Sequence, residues 1–248
     1  MKEVRRLKVT LITKEPFRIG AFEDVMSAIH NPVATVGGRA VIQGSSLKGA
    51  LRTAIEDYLI QECSDIPEMK PCIPSPENTL SQDEKGLIEK GKYREGGGCH
   101  YSERNKSSSI CPVCYLLGAT GVSGFVRVPY LYTDVAPEEL YAVRIDRATN
   151  VVREKTNRDY QIIKDGTKFE GELEILIKDS RRNWTLGEKR SIGKEARGFY
   201  GDSWLNERWN AERIIKELIK ERLEDINILG GFKSRGCGKV EIKVNDTQ

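Results

Sequence analysis

The sequence predicts an α+β fold, one antiparallel sheet with helices on one face. Three observations point there. Alternating apolar residues mark strands at both ends of the chain, two segments carry helical apolar stripes, and a further alternating strand lies between them. The chain has 248 residues, long enough to bury a sizeable core. Charged residues make up 31% and hydrophobic ones 38%, with mean hydropathy −0.49, and no run approaches the roughly 20 apolar residues of a spanning helix. A membrane protein is therefore not expected. The opening M-K-E-V-R-R-L-K lacks an apolar signal region, so a cytoplasmic location is expected. The net charge of +3 is small, and a polyanion site has to come from local clustering.

Taken in order, residues 5–13 alternate through Leu7, Val9 and Leu11 as a half-buried strand does. Ser45 and Ser46 read as N-cap residues of a helix that carries Leu47, Leu51, Ile55 and Tyr58 or Leu59 on one side and ends near Ile60. Residues 63–114 form an insertion rich in Pro, Gly and Ser, with at most one short helix near 80–90. A strand over 172–178 shows Leu173, Ile175 and Ile177. A second helix, about 206–225, has Ile215, Leu218, Ile219 and Leu223 as its stripe. The chain closes on a strand with Val240, Ile242 and Val244. Residues 141–168 and 181–198 are polar and basic. Trp184, Trp204 and Trp209 are expected to be at least partly buried.

Three segments have the chemistry of a site. In I-Q-G-S-S-L-K-G-A-L-R (42–52) a strand turns into a helix through Gly-Ser-Ser, which offers backbone N–H groups, two hydroxyls and a helix dipole to an anion. Lys48 and Arg52, one turn apart, are placed to meet phosphates. The spacing is not that of a Walker A loop. In G-G-F-K-S-R-G-C-G-K (230–239) four glycines alternate with Lys233, Ser234, Arg235 and Lys239, so a polyanion can approach the backbone closely at Gly231 and its neighbours.

The third segment is C-H-x10-C-P-V-C: Cys99, His100, Cys111 and Cys114. A C-x-x-C pair with a Cys or His about ten residues upstream can close a zinc site in a loop that cannot order itself. Adjacent residues such as Cys99 and His100 do not easily bind one ion together, so Cys72 or Cys63 is an alternative fourth ligand. The expected zinc is structural, since no carboxylate stands nearby as a base. Only two histidines, His30 and His100, are present, which excludes chemistry built on several.

Together these segments resemble the RAMP superfamily of CRISPR effector proteins, most closely the repeated backbone subunit of type III complexes of the Csm and Cmr kind. The matching residues are F-R-I-G (17–20), A-I-H-N-P-V (28–33), I-Q-G-S-S-L-K-G-A-L-R, C-P-V-C-Y-L-L-G (111–118), I-D-R-A-T-N (145–150) and L-G-G-F-K-S-R-G-C-G-K-V (229–240). The resemblance implies a single RAMP domain over 1–248. Its RRM-like, ferredoxin-like core would cover about 4–60, 115–135, 168–180 and 205–245. The 63–114 insertion would form a zinc-knuckle lid, and a thumb hairpin would lie at about 141–168.

It also implies CRISPR RNA and target RNA as partners, other Cas subunits of a type III complex, and self-association along the guide. Ser45, Ser46, Lys48, Arg52, Gly231, Lys233, Ser234 and Arg235 would contact guide phosphates. Arg144 and Arg147 would act from the thumb, which wedges into the guide–target duplex. Active relatives have an aspartate in I-D-x-P-V that is tied to target cleavage; this chain has His30 there. Little or no cleavage is therefore expected, and a metal-independent endoribonuclease using His30 or Asp24 is the alternative.

Overall fold

The computed structural model describes residues 1–20, 31–102, 107, 109–143, 145–152, 158–190, 192, 202–206 and 208–247. His30 and Arg144 lie outside these, as does Asp24. The elements are β1 (Lys2–Thr13), β2 (Thr35–Val36), β3 (Arg39–Ile42), α1 (Gly44–Glu62), α2 (Gln82–Glu89), α3 (Pro112–Leu117), β4 (Val126–Arg127), β5 (Leu131–Tyr132), β6 (Glu138–Ala142), β7 (Arg158–Ile162), β8 (Lys168–Asp179), β9 (Trp184–Thr185), α4 (Ala211–Arg213), α5 (Glu221–Glu224) and β10 (Val240–Asp246). Between α4 and α5 the helix continues as a π-helix over Ile214–Lys220.

The main sheet is antiparallel in every pair, ordered β10-β1-β8-β5-β3-β2, with β4 and β9 also paired to β8. Along the chain β1, α1, β5, β8, the α4–α5 helix and β10 alternate as βαββαβ. The order β10-β1-β8-β5 places the fourth strand beside the first and the third beside the second, the ferredoxin-like arrangement. The register aligns one buried face: Leu7 opposite Leu173, Leu11 opposite both Phe169 and Ile242, Val9 opposite Val244. A slip of one residue would turn all of them to solvent, so burial fixes the pairing.

Against that face α1 buries Leu47, Leu51, Ile55 and Leu59, and the second helix buries Ile214, Ile215, Leu218, Ile219 and Leu223. The helices are tied together by the Tyr58 hydroxyl, which donates to Glu217 at 3.2 Å, and by Arg222 over the Tyr58 ring. The second helix starts at Ala211, later than 206, because the Asn210 side chain accepts from the Arg213 amide and caps it there. In the insertion, α2 begins with a capping box between Ser81 and Glu84.

The other face of the central strands shows Arg6 and Lys8 from β1 and Glu170, Glu172 and Glu174 from β8. Lys8 and Lys168 pair with Glu170, and Arg6 and Arg127 pair with Glu174. RRM domains stack bases on aromatic residues of these two strands. Here those positions hold paired charges and offer no such stacking platform. The three tryptophans are buried, and Trp184 and Trp204 pack in a cluster with Tyr115 and Phe125. No helix among the described residues is long and apolar enough to cross a membrane.

Candidate nucleic-acid interface and metal centre

β3 leads through Gln43 directly into α1. Gln43 is the N-cap, in extended conformation, with no side-chain cap and no acidic residue in the first helical turn. Ser45 and Ser46 therefore belong to the first turn and are not the cap. The turn sits so close to the chain after β4 that a Cβ on Gly44 would meet the Val128 and Pro129 carbonyl oxygens at 2.8 and 2.9 Å. A Gly44→Ala variant is expected to lose about 1–3 kcal/mol in urea unfolding, because backbone has to move to admit the methyl group.

The start of α1 faces the glycine-rich loop across a groove of about 640 Å³. Ser45, Ser46 and Gln43 line one wall, and Asn227, Gly230, Gly231 and Lys233 the other. The loop is fitted closely to the segment after β1: Gly231 donates to the Arg18 carbonyl at 2.8 Å, and Gly238 to that of Pro16 at 3.0 Å. Gly230, at φ +89°, passes so near that a Cβ would lie 2.4 Å from the Arg18 oxygen. The positive end of a 19-residue helix, two hydroxyls and an ammonium group thus line one groove, a combination that favours an anion there. Asp57 and Asp225 line the far end and confine an anion to the serine end.

Four of the expected RNA-contacting residues, Ser45, Ser46, Gly231 and Lys233, meet in this groove. Lys48 is exposed on the next turn of α1, outside its lining. Ser234 and Arg235 are exposed on the 3₁₀ turn Lys233–Arg235. Arg147 is exposed beyond the β6–β7 hairpin, next to Asp146, whose carboxylate accepts from the Ala148 and Thr149 amides. That hairpin also exposes Leu140, Tyr141, Val143, Ile145, Val151 and Val152.

Arg52 corrects the sequence expectation. It turns away from the groove, with Nε 2.7 Å from Glu56 and Nη2 on the Cys72 carbonyl and sulfur at 3.4 and 3.5 Å. Nη1 lies 3.9 Å from Cys114 Sγ. Burial disfavours its charge, but Cys114, Glu56 and Cys72 outweigh that and raise its pKa. Burial likewise pushes the Glu56 carboxyl up to about 7, against the pull of Arg52. The arginine is held on the thiols because a charge in a poorly solvated site gains more from a fixed partner than from solvent.

The thiols beneath Arg52 are Cys72, Cys99, Cys111 and Cys114, all buried, with sulfurs within 4.8 Å of one another. Cys111 caps α3 and Cys114 is one turn on, so both point to one side. Cys72 Sγ lies 3.5 Å from that of Cys114 and 3.7 Å from that of Cys111. A tetrahedral zinc site with Zn–S of about 2.3 Å separates its sulfurs by roughly 3.8 Å, so the set fits such an ion. The Cys99 amide donates to Cys72 Sγ and the Cys111 amide to Cys99 Sγ, both at 3.4 Å. Arg94 reaches Cys99 Sγ at 3.6 Å. Hydrogen bonds from Cys111, Cys114 and Cys99 hold the Cys72 thiol far below its usual range, while burial pushes Cys111 up.

His100 corrects the ligand set. Its Nδ1 lies 3.1 Å from the Gly98 carbonyl and 3.2 Å from Ser107 Oγ, and Cys72 occupies the fourth place. Cys63 is buried outside the cluster, and Cys237 lies in the glycine-rich loop. Sequence reasoning missed Arg94 altogether. No local signal marks it, since its role depends on the chain folding back on Cys99.

No curated protein matches the chain. The sequence model of the RAMP superfamily matches residues 10–241, a span that runs from β1 through the thiol cluster and the glycine-rich loop to β10. With the ferredoxin-like strand order, the chain therefore belongs to the RAMP superfamily, a family with a CRISPR-associated RNA-binding theme.

Proposed function

We propose that this protein is a CRISPR RNA-binding backbone subunit of a type III interference complex. Copies associate along one guide RNA, beside other Cas subunits in the cytoplasm, and position target RNA. The observation that supports this most is the convergence of Ser45, Ser46, Gly231 and Lys233 on the groove at the positive end of α1. Phosphate contacts of this kind fix a strand in place without reading its sequence, as a subunit that serves many guides requires. The exposed apolar residues of the β6–β7 hairpin suit a thumb that works against a duplex or a neighbouring copy. Cys72, Cys99, Cys111 and Cys114 would hold a structural zinc, which supplies the constraint that the Pro- and Gly-rich insertion lacks.

Fluorescence anisotropy with a labelled single-stranded RNA, titrated at several salt concentrations, tests the reading. Lys233→Ala is expected to weaken binding to unrelated sequences alike and to reduce the salt slope by about 0.7–1 unit. Arg52→Ala is expected to lower stability and leave the slope unchanged, since Arg52 faces the thiols. Wild-type protein that binds no RNA at moderate salt, or a Lys233→Ala slope equal to wild type, would refute the assignment.

A further inference from the structure

A second cavity, of about 730 Å³, lies between the insertion and α1. Pro74 and His100 line it, together with Cys72, Cys99, Cys114 and Arg52, whereas Cys111 does not reach it. Three of the four clustered cysteines thus border open space, although none is more than 4% exposed. Burial of that degree shuts out bulky reagents. A cavity of this size still admits hydrogen peroxide, which is little larger than a water molecule of about 30 Å³.

Three groups at the edge of the cavity have complementary chemistry. Cys72 Sγ and Cys114 Sγ stand 3.5 Å apart, near enough to be joined after a small shift. Arg52 reaches both, with Nη2 at 3.5 Å from the Cys72 sulfur and 3.8 Å from that of Cys114. A guanidinium there stabilises the charge that develops on the leaving oxygen when a sulfur attacks a peroxide bond. Glu56 holds Arg52 from the other side, Nε to carboxylate at 2.7 Å, so the cation is in place before the reaction begins.

We infer that Cys72 and Cys114 are a peroxide-reactive dithiol, with Arg52 as the group that stabilises the leaving oxygen. One sulfur attacks the O–O bond of hydrogen peroxide, keeps one oxygen as a sulfenic acid and releases the other as hydroxide. The second sulfur attacks the first, forms the S–S bond and expels the remaining oxygen as hydroxide. Protons from the thiols, or from solvent where the thiols are already ionised, turn both hydroxides into water. Two electrons pass from sulfur to peroxide. The disulfide removes two of the four thiolates that would hold zinc, so a bound ion leaves as the bond forms. The inference goes beyond the RNA-binding reading and needs the thiols, not the metal, since the pair closes in metal-free protein as well.

Full-length protein with Cys63→Ser and Cys237→Ser keeps only the four cysteines of the cluster and serves as the parent. Hydrogen peroxide should form one disulfide in it, which peptide mapping places between Cys72 and Cys114, and dithiothreitol should reverse it. Where zinc is bound, a chelating dye should record its release with the same time course. Arg52→Gln should slow disulfide formation by roughly 100-fold, the lower end for loss of one preorganised donor, and Arg52→Lys, which keeps the charge, should recover part of the rate. Iodoacetamide labelling should be slow in the parent and stay slow in both variants, which shows that the cluster remains closed.

A cluster that stays reduced in peroxide, or a disulfide that maps to Cys99 or Cys111, would overturn the assignment. A closed Arg52→Gln variant that oxidises at the parent rate would overturn it as well, because the pair would then react without the guanidinium. Parent protein purified without zinc that still joins Cys72 to Cys114 supports the dithiol and counts only against the metal.

Discussion

Replacing Cys72 with serine is expected to abolish zinc binding by the insertion and with it most of the insertion's order. Purified wild-type protein should hold about one zinc per chain by elemental analysis, and Cys72→Ser or Cys111→Ser should hold almost none. Structural zinc contributes roughly 10–16 kcal/mol of apparent binding free energy in small zinc-folded peptides. A fraction of that suffices to order a segment whose own buried side chains are few. Cys72→Ser also leaves Arg52 without the sulfur it faces at 3.5 Å. Proteolysis within 63–114 should accelerate in the variants and in chelator-treated wild type. Cys63→Ser, Cys237→Ser and His100→Ala should retain the metal, since none of the three residues belongs to the cluster. Zinc content that falls in His100→Ala and stays in Cys72→Ser would reverse the ligand assignment.

The second large effect belongs to neither site, although it packs against Tyr115 of α3. Arg190 and Asp202 form an ion pair with both side chains fully buried. Nε and Nη2 grip the two carboxylate oxygens at 2.9 and 3.1 Å, the Arg190 amide donates to the same carboxylate, and Nη1 donates to the Ser123 carbonyl at 2.7 Å. Tyr115, Phe125 and Trp184 surround the guanidinium, with centroids 4.5–5.1 Å from it. Asp202→Ala strands a buried cation, and Arg190→Ala a buried anion. Each is expected to cost about 3–5 kcal/mol in urea unfolding. Arg190→Lys should recover little, because an ammonium group cannot make the two-pronged contact. A double variant with apolar residues of similar volume should recover much of the loss. Single variants within 1 kcal/mol of wild type would show that the pair is no clamp.

The strands and helical stripes were legible because each is written within a few residues. Leu7, Val9 and Leu11 alternate at the period of a pleated strand, and Leu47, Leu51 and Ile55 recur at the period of a helix. The same periodicity could not show that the second helix widens into a π-helix over Ile214–Lys220, where Ile214, Ile215, Leu218 and Ile219 are all buried. The capping box at Ser81 and Glu84 was in the sequence as S-Q-D-E, a local signal that the Pro- and Gly-rich surroundings obscured.

The sequence by itself determined the α+β class, and it marked two candidate anion-binding segments and the C-P-V-C half of the thiol cluster, because each depends on neighbours along the chain. Only the tertiary structure decided which segments meet. Ser45 and Lys233 come to one groove because the glycine-rich loop is hydrogen-bonded to the segment after β1, at Pro16 and Arg18, and that segment continues into the groove lining at Ile19 and Gly20. Cys72 completes the thiols because the insertion folds back over α3, and the adjacent His100 is drawn to Gly98 and Ser107. Arg52 shares a helix face with Lys48 in sequence, but its longer side chain reaches the buried sulfurs of Cys72 and Cys114. In that poorly solvated place a fixed negative partner holds it more strongly than water does, and this field is set by residues that lie far from Arg52 along the chain.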